Sequence, residues 1–230
     1  AKKLVLAEML SSEFAQLAGL LQLVAQSSPA TRDFTLNILR SALASVIAAF
    51  PVYRTYIVAG HVSDQDRRYV KQAVKRAREA SRQIDPSVFE FMHDVLLHDD
   101  SPHAAAFVAR FQQVTAPVMA KAMEDTCFYR YNRLISLNEV GGDPGTFGIS
   151  VARFHNAMAE RARQWPYALS ATSTHDTKRG ENVRARINIL SEMPRQWRLL
   201  IRRFARLNAR HKSMLDGIQA PSSNDEYLLY

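Results

Sequence analysis

The sequence predicts a mainly helical fold with at most two or three short strands. Three observations carry that expectation. Apolar residues recur at three- and four-residue steps along most of the chain. Helix-start signals recur too: Ser63-Asp64-Gln65-Asp66, Asp85-Pro86, Ser101-Pro102 and Ser150 each place a capping side chain before a helical pattern. Glycine is scarce, 8 in 230 residues, and dense in only one loop, Gly141-Gly142-Asp143-Pro144-Gly145.

Leu4, Leu10, Phe14, Leu17, Leu21 and Val24 form one apolar stripe, ended by Ser27-Ser28-Pro29. The next helix carries Phe34, Ile38, Leu39, Leu43, Val46, Ile47 and Phe50, and Pro51 stops it. Residues 52–58 are β-branched and aromatic and read as an extended stretch. Ser63 opens a charged helix to about Ser81, with Asp66 favouring its N-terminus. Helices follow from Asp85 to about His98 and from Ser101 to about Thr115, and Pro117 is expected to separate a further helix over 118–127. Residues 133–138 and 167–171 are strand candidates, with a Ser150-capped helix to about Trp165 between them. Helices fill about 181–211, divided at Pro194. Strands alternating with helices are the unit of a parallel sheet or barrel. Two strands cannot make one, so either the chain is effectively all-α or partner strands lie outside it.

Composition is ordinary for a globular chain, 47% hydrophobic and 23% charged, which excludes disorder and fibrous repeats. The single cysteine, Cys127, cannot close an internal disulfide, which fits a reducing compartment and a cytoplasmic location. The longest uncharged run, residues 14–31, carries Gln16, Gln22, Gln26 and Pro29 and reads as an amphipathic helix and a loop, so no membrane contact is expected. No secretion-signal pattern is read at the N-terminus. The chain starts without methionine inside a helical pattern and stops as an apolar pattern begins, which is read as a piece of a longer protein.

Net charge is +8, and it is uneven: residues 178–212 hold eleven Lys or Arg against Glu181 and Glu192. A basic stripe is the footprint of a nucleic-acid binder. The plainer reading, preferred here, is a solvated helix face or one that meets an acidic neighbour.

The chemistry concentrates in Thr174-His175-Asp176-Thr177-Lys178-Arg179, between a strand candidate and a helix. On a barrel that position is the catalytic rim. A carboxylate there can accept from two hydroxyls of a sugar ring, an imidazole can donate to another, and Lys178 and Arg179 add positive charge and donors. The structural alternative is that Asp176 caps the following helix and the cations are solvated.

Long runs carry a resemblance that resolves this. They are residues 50–56 (FPVYRTY), 111–126 (FQQVTAPVMAKAMEDT), 128–134 (FYRYNRL), 136–144 (SLNEVGGDP), 173–179 (STHDTKR) with 182–186 (NVRAR), and 224–230 (NDEYLLY). Together they resemble the maltooligosyltrehalose synthase family, α-amylase-type glycoside hydrolase relatives that work as isomerases. The resemblance implies a helical insertion over 1–127, an incomplete (β/α)8 barrel over 128–212 and the start of a further segment over 213–230. It implies a maltooligosaccharide substrate, whose reducing-end α-1,4 link becomes an α,α-1,1 link by retaining chemistry with an aspartate nucleophile and a glutamate acid/base. Asp176 matches the aspartate that stabilises the transition state, with His175 beside it. Lys121 and Glu124 match the motif that holds the freed glucose, and Lys178 and Arg179 are further substrate-binding candidates. The nucleophile and the general acid are expected outside this chain, on an N-terminal barrel region of the same protein. The isolated chain is expected to be inactive, with no cofactor and no metal.

Other readings of the same residues are weaker. Lys121 and Glu124 at i, i+3 form, on the plain reading, a surface ion pair. Glu139 could look like a catalytic acid, but reads as structural, bonding the amides of the glycine loop. His93, His98 and His103 step by five among Asp94, Asp99 and Asp100, a spacing that scatters around a helix instead of aligning as in a zinc site. Phe128, Tyr129 and Tyr131 read as core and strand packing. Two rival functions stay open on residues alone: a helical metal phosphohydrolase built on His175 and Asp176, and a nucleic-acid-binding module using 178–212.

Overall fold

The computed structural model describes residues 1–58, 61–98 and 101–230. The chain divides into two compact units, Ala1–Thr126 and Cys127–Tyr230. The fold is mainly α, as the periodicity predicts.

The first unit is built from α1 (Lys2–Glu8), α2 (Ser11–Gln26), α3 (Leu36–Ala49), α4 (Asp64–Ala80), α5 (Pro86–Leu97) and α6 (Pro102–Met119). The capping signals do what their chemistry dictates. Ser63 accepts from the Asp66 amide at 3.1 Å, Asp85 from Ser87 at 2.9 Å and Ser101 from Ala104 at 3.2 Å. Leu17, Leu21, Leu39, Leu43, Ile47 and Phe89 are fully buried, and Phe50 meets Phe111 edge-on at 5.3 Å between ring centres. The extended segment after Phe50 is held by two side chains. Gln112, itself buried, donates to the Ile57 carbonyl at 3.0 Å and accepts from the Ile57 amide at 2.7 Å. Asp66 accepts from the Tyr56 amide at 3.3 Å. A primary amide thus stands in for a neighbouring strand.

Two expectations fail in this unit. The first apolar stripe is not one helix: α1 and α2 meet at 95°, so Leu4 is exposed while Val5 and Leu6 are buried. Pro117 does not separate two helices either. It sits inside α6, which passes into a π-helical stretch, Ala120–Cys127. Proline lacks the N–H that the turn before it would take and crowds the carbonyl four residues back, and the helix widens past it instead of stopping. Among the described residues no single helix is long and apolar enough to cross a membrane.

The second unit contains a short turn of helix, α7 (Phe128–Arg130), a 3₁₀ turn Ile135–Leu137, α8 (Val151–Gln164), α9 (Glu181–Asn188), α10 (Pro194–Asn208), strands β1 (Ser213–Leu215) and β2 (Ile218–Ala220), and α11 (Ser223–Leu229). Both strand candidates are corrected. Residues 133–138 close into the 3₁₀ turn, with Leu137 N–H on Leu134 O and Asn138 N–H on Ile135 O. Residues 167–171 form no strand, and Tyr167 and Leu169 are each 95% exposed. A strand needs a neighbour to take its amides, and no parallel pair exists among the described residues. The strands present are an antiparallel hairpin with Leu215 opposite Ile218. Asp216 and Gly217 form its two-residue turn, both at positive φ. Of the aromatic run, Phe128 is buried, while Tyr129 and Tyr131 are exposed.

Candidate functional site

Residues 174–177 form a closed turn in the second unit. The Thr174 amide donates to Thr177 Oγ1 at 2.7 Å and the Thr177 amide to Thr174 O at 3.1 Å. His175 and Asp176 therefore sit at its tip, their side chains 91% and 59% exposed, with His175 Nε2 3.0 Å from Asp176 Oδ2. Asp176 does not cap the next helix: the N-cap of α9 is Gly180, with no side-chain cap. A carboxylate steered by an adjacent imidazole and open to solvent can accept from paired sugar hydroxyls.

The stem of this turn is tied on both sides. On the N-terminal side, Glu181 Oε2 accepts from Ser173 Oγ at 2.5 Å and Thr172 Oγ1 at 3.4 Å, and Arg184 Nη2 donates to the Thr172 carbonyl. The Ser173 hydroxyl holds the Glu181 carboxyl below the usual glutamate range, helped by Thr172 and the Arg184 charge. On the C-terminal side, Glu139 accepts from the Lys178 amide with both carboxylate oxygens, at 3.0 and 3.2 Å.

Glu139 also accepts from the Val140 amide at 3.2 Å, and its carbonyl accepts from Gly142 at 2.7 Å. Its carboxylate therefore takes the Val140 amide just before the glycine loop and the distant Lys178 amide, instead of the loop's own amides as expected. That loop leaves no choice at two positions: Gly141 has φ +70°, and a Cβ on Gly142 would lie 2.7 Å from Leu137 O and 2.8 Å from Glu139 O. Beyond it, Asp143 accepts from Thr146 Oγ1 at 2.8 Å and the Gly145 amide at 2.9 Å, which lower its carboxyl below the ordinary range in that order.

Four of the motif runs meet in this unit. Asn138, fully buried, donates to Phe128 O at 2.8 Å and Tyr131 O at 2.6 Å. Asn132 donates to Asn224 O, Asn224 to Arg130 O, and Tyr227 to Arg133 O. Glu139 then joins the 136–144 run to the 173–179 run. Arg179 lines a cavity of about 300 Å³ with Leu134, Ile187, Trp197 and Tyr227. The network that the residue-by-residue reading missed is Thr177, Glu181 and Arg184. Its visible signal was a Ser/Thr run followed by an acid at the first helical position.

Lys121 and Glu124 lie in the first unit, on the π-helical stretch. Lys121 Nζ meets Asp125 Oδ2 at 2.7 Å, and Glu124 is only 6% exposed, so it is not the surface group of the plain reading.

His93, Asp94 and His98 each offer one ligand atom within 4.8 Å of the others, which brings together a pair that helical spacing alone would scatter, because His98 lies past the end of α5. Asp99 and Asp100 lie outside the described residues. His175 and Asp176 belong to no such group among the described residues.

The class of protein that this arrangement of a helical unit and a loop-bearing unit belongs to is given by its similarity to known proteins. The chain is similar to a partial region of proteins named maltooligosyl trehalose synthase. Over 88 residues, 38% of the chain, it is 58% identical to a Mycobacterium tuberculosis protein named as a maltooligosyl trehalose synthase, of which it covers 12%. It superposes on a mutant of maltooligosyltrehalose synthase from Arthrobacter ramosus with TM-score 0.74 and 33% identity, covering 99% of this chain and 26% of that one. A hypothetical maltooligosyl trehalose synthase of Sulfolobus tokodaii gives TM-score 0.67 and 28% identity, over 100% of this chain and 26% of that one. The chain thus spans about a quarter of the solved structures it matches. No protein-family profile matches it.

Proposed function

We propose that this chain is part of an enzyme that converts the reducing-end α-1,4 linkage of a maltooligosaccharide into an α,α-1,1 linkage by retaining intramolecular transglucosylation. The observation that carries the reading is the 33% identity and TM-score of 0.74 over 99% of the chain. The presentation of residues 173–179 as a tied turn supports it. In this reading residues 1–127 are a helical insertion, 128–212 belong to a barrel, and 213–230 begin a further segment. The reaction runs in a cytoplasmic compartment, which the lone Cys127 supports.

The roles follow from chemistry. An aspartate and a glutamate outside this chain cleave the link, and the glycosyl-enzyme forms on the aspartate. Asp176 accepts from ring hydroxyls as the oxocarbenium-like state develops, and His175 steers it. Lys121 and Glu124 hold the freed glucose, which turns and attacks through its anomeric hydroxyl. Lys178 and Arg179 contribute donors to the substrate. No cofactor or metal takes part.

The test uses the full-length protein and maltopentaose, with trehalosyl product and free glucose measured separately. Asp176→Asn should lower turnover by orders of magnitude while binding changes less. Lys121→Ala should keep bond cleavage but release more glucose. The isolated 230 residues should do neither reaction, because positioning without the two reacting carboxylates leaves the barrier in place. Near-normal turnover in Asp176→Asn, or an unchanged product ratio in Lys121→Ala, would remove the corresponding role.

A further inference from the structure

We propose that Glu139 is a positioning residue for Asp176: its carboxylate, by holding the Lys178 amide, fixes the angle at which the tip of the 174–177 turn presents its acid. The proposal rests on the reading of Asp176 given above and adds a residue to it. Asp176 is on an exposed turn, its side chain 59% exposed, so bonds at the stem and not burial of its own side chain set its direction. The Thr174–Thr177 hydrogen bonds set the shape of the turn but not its orientation. Orientation comes from the stem. The N-terminal tie, through Glu181 and Arg184, comes from α9, which directly follows the turn in sequence. Glu139 adds a tie from a distant segment, 39 residues back in the chain.

Glu139 is suited to this because its own backbone is fixed on both sides. The buried Asn138 before it is anchored to Phe128 O and Tyr131 O. The turn after it closes through Gly142, where no side chain fits. Both oxygens of the carboxylate address one N–H two residues past Asp176, and the negative charge strengthens that bond. Glu139 itself touches no reacting atom in this account, so it differs from an acid or a base by what its variants do.

The experiment takes full-length Glu139→Gln, Glu139→Ala and Asp176→Asn enzymes. It measures kcat, KM and the pH profile on maltopentaose, with hydrogen exchange of peptides spanning 172–180. Glu139→Gln keeps an acceptor oxygen and should retain turnover within about 3-fold, with the pH profile unmoved. Glu139→Ala should lose about 10- to 100-fold in kcat with KM changed far less, as expected for a displaced catalytic group. It should also speed exchange in 172–180, while Glu139→Gln does not. A Glu139→Gln enzyme as damaged as Asp176→Asn, or one missing a limb of its pH profile, would overturn the proposal in favour of direct catalysis. Unchanged kcat and unchanged exchange in Glu139→Ala would overturn it outright. If Glu139→Ala fails to fold, slowed turnover of Glu139→Asp, a carboxylate one methylene too short, with a normal pH profile takes its place; normal turnover there overturns the proposal. A wild-type enzyme that makes no trehalosyl product would sink the reading of Asp176, while the exchange arm would still decide whether Glu139 holds the turn.

Discussion

Residues 1–126 and residues 127–230 reach order by different means. The first unit buries Leu17, Leu21, Leu39, Leu43, Phe89, Phe107 and Phe111 in one apolar cluster. In the second, α8, α9 and α10 bury no side chain, and Val151, Phe154, Trp165 and Leu199 are exposed. Beside the contacts of Phe128, Trp197–Tyr227 and Phe204–Tyr230, the second unit is tied by directional bonds: Asn138 on two carbonyls, Glu139 on Lys178, Tyr227 on Arg133, and Lys212 on Glu226. Apolar burial is cumulative and tolerant of detail, whereas hydrogen bonds are local and lost singly. The unit with the candidate turn is therefore the one whose geometry depends on individual polar residues.

The sharpest way to break this contrast is by truncation in each unit. Phe111→Ala should cost about 3–5 kcal/mol, as for other buried aromatics, whereas Leu169→Ala should stay within about 0.5 kcal/mol. Denaturant midpoints of the two variants, each followed by a probe in its own unit, check this. Equal costs would erase the distinction.

Asn138→Ala comes next. It leaves the Phe128 and Tyr131 carbonyls without their donor, at a cost of about 1–3 kcal/mol. The loss should appear as faster hydrogen exchange in 128–140, with the 36–49 amides unmoved.

The two units should also respond to pH at opposite ends. Burial lowers the Lys2 ammonium to about 8, although it donates to Phe50 O at 2.7 Å. Between about 8 and 10.5 the unfolded chain holds the extra proton, so the first unit gains stability as pH rises through that window. Lys2→Met should remove that rise. In the second unit, hydrogen bonds from Lys212 and then Tyr230 hold the Glu226 carboxyl below its ordinary value. The stability it contributes is present above the ordinary glutamate pKa and is lost as pH falls through the lowered one. Melting curves of wild type, Lys2→Met and Glu226→Gln across pH test both signs. The smallest effect is the loss of the exposed pair with Lys121 in Asp125→Ala, about a few tenths of a kcal/mol, a part of the cost that should shrink as salt is raised.

The same division explains what could be read in advance. The caps at Ser63, Asp85, Ser101 and Ser150 were legible because a cap is a contact with the second or third residue onward. The strand candidates at 133–138 and 167–171 failed because strand propensity says nothing about whether a partner is there. The hairpin was missed although Asp216-Gly217 between Leu215 and Ile218 is a strong short-range signal. Of the site, His175 and Asp176 stood out by residue type. The tie from Glu139 to Lys178 spans 39 residues, and nothing local to either residue announces it.

The π-helical stretch has a consequence for how its residues tolerate change. A π turn is an α-helix carrying one residue more than its register accommodates. Substituting Ala120 or Ala122 by another small residue leaves that surplus in place. Deleting either one removes it, and the helix can then run on as α from Pro102. The loss is taken up where the surplus lay, so the residues that follow in the segment keep their faces, and deleting Ala120 leaves Lys121 and Asp125 four residues apart. A deletion within the α part of α6 has no surplus to absorb it and would turn each later residue by about 100° about the helix axis. This segment is thus a place where a deletion scan would find more tolerance than in the helix before it, because what it stores is a phase.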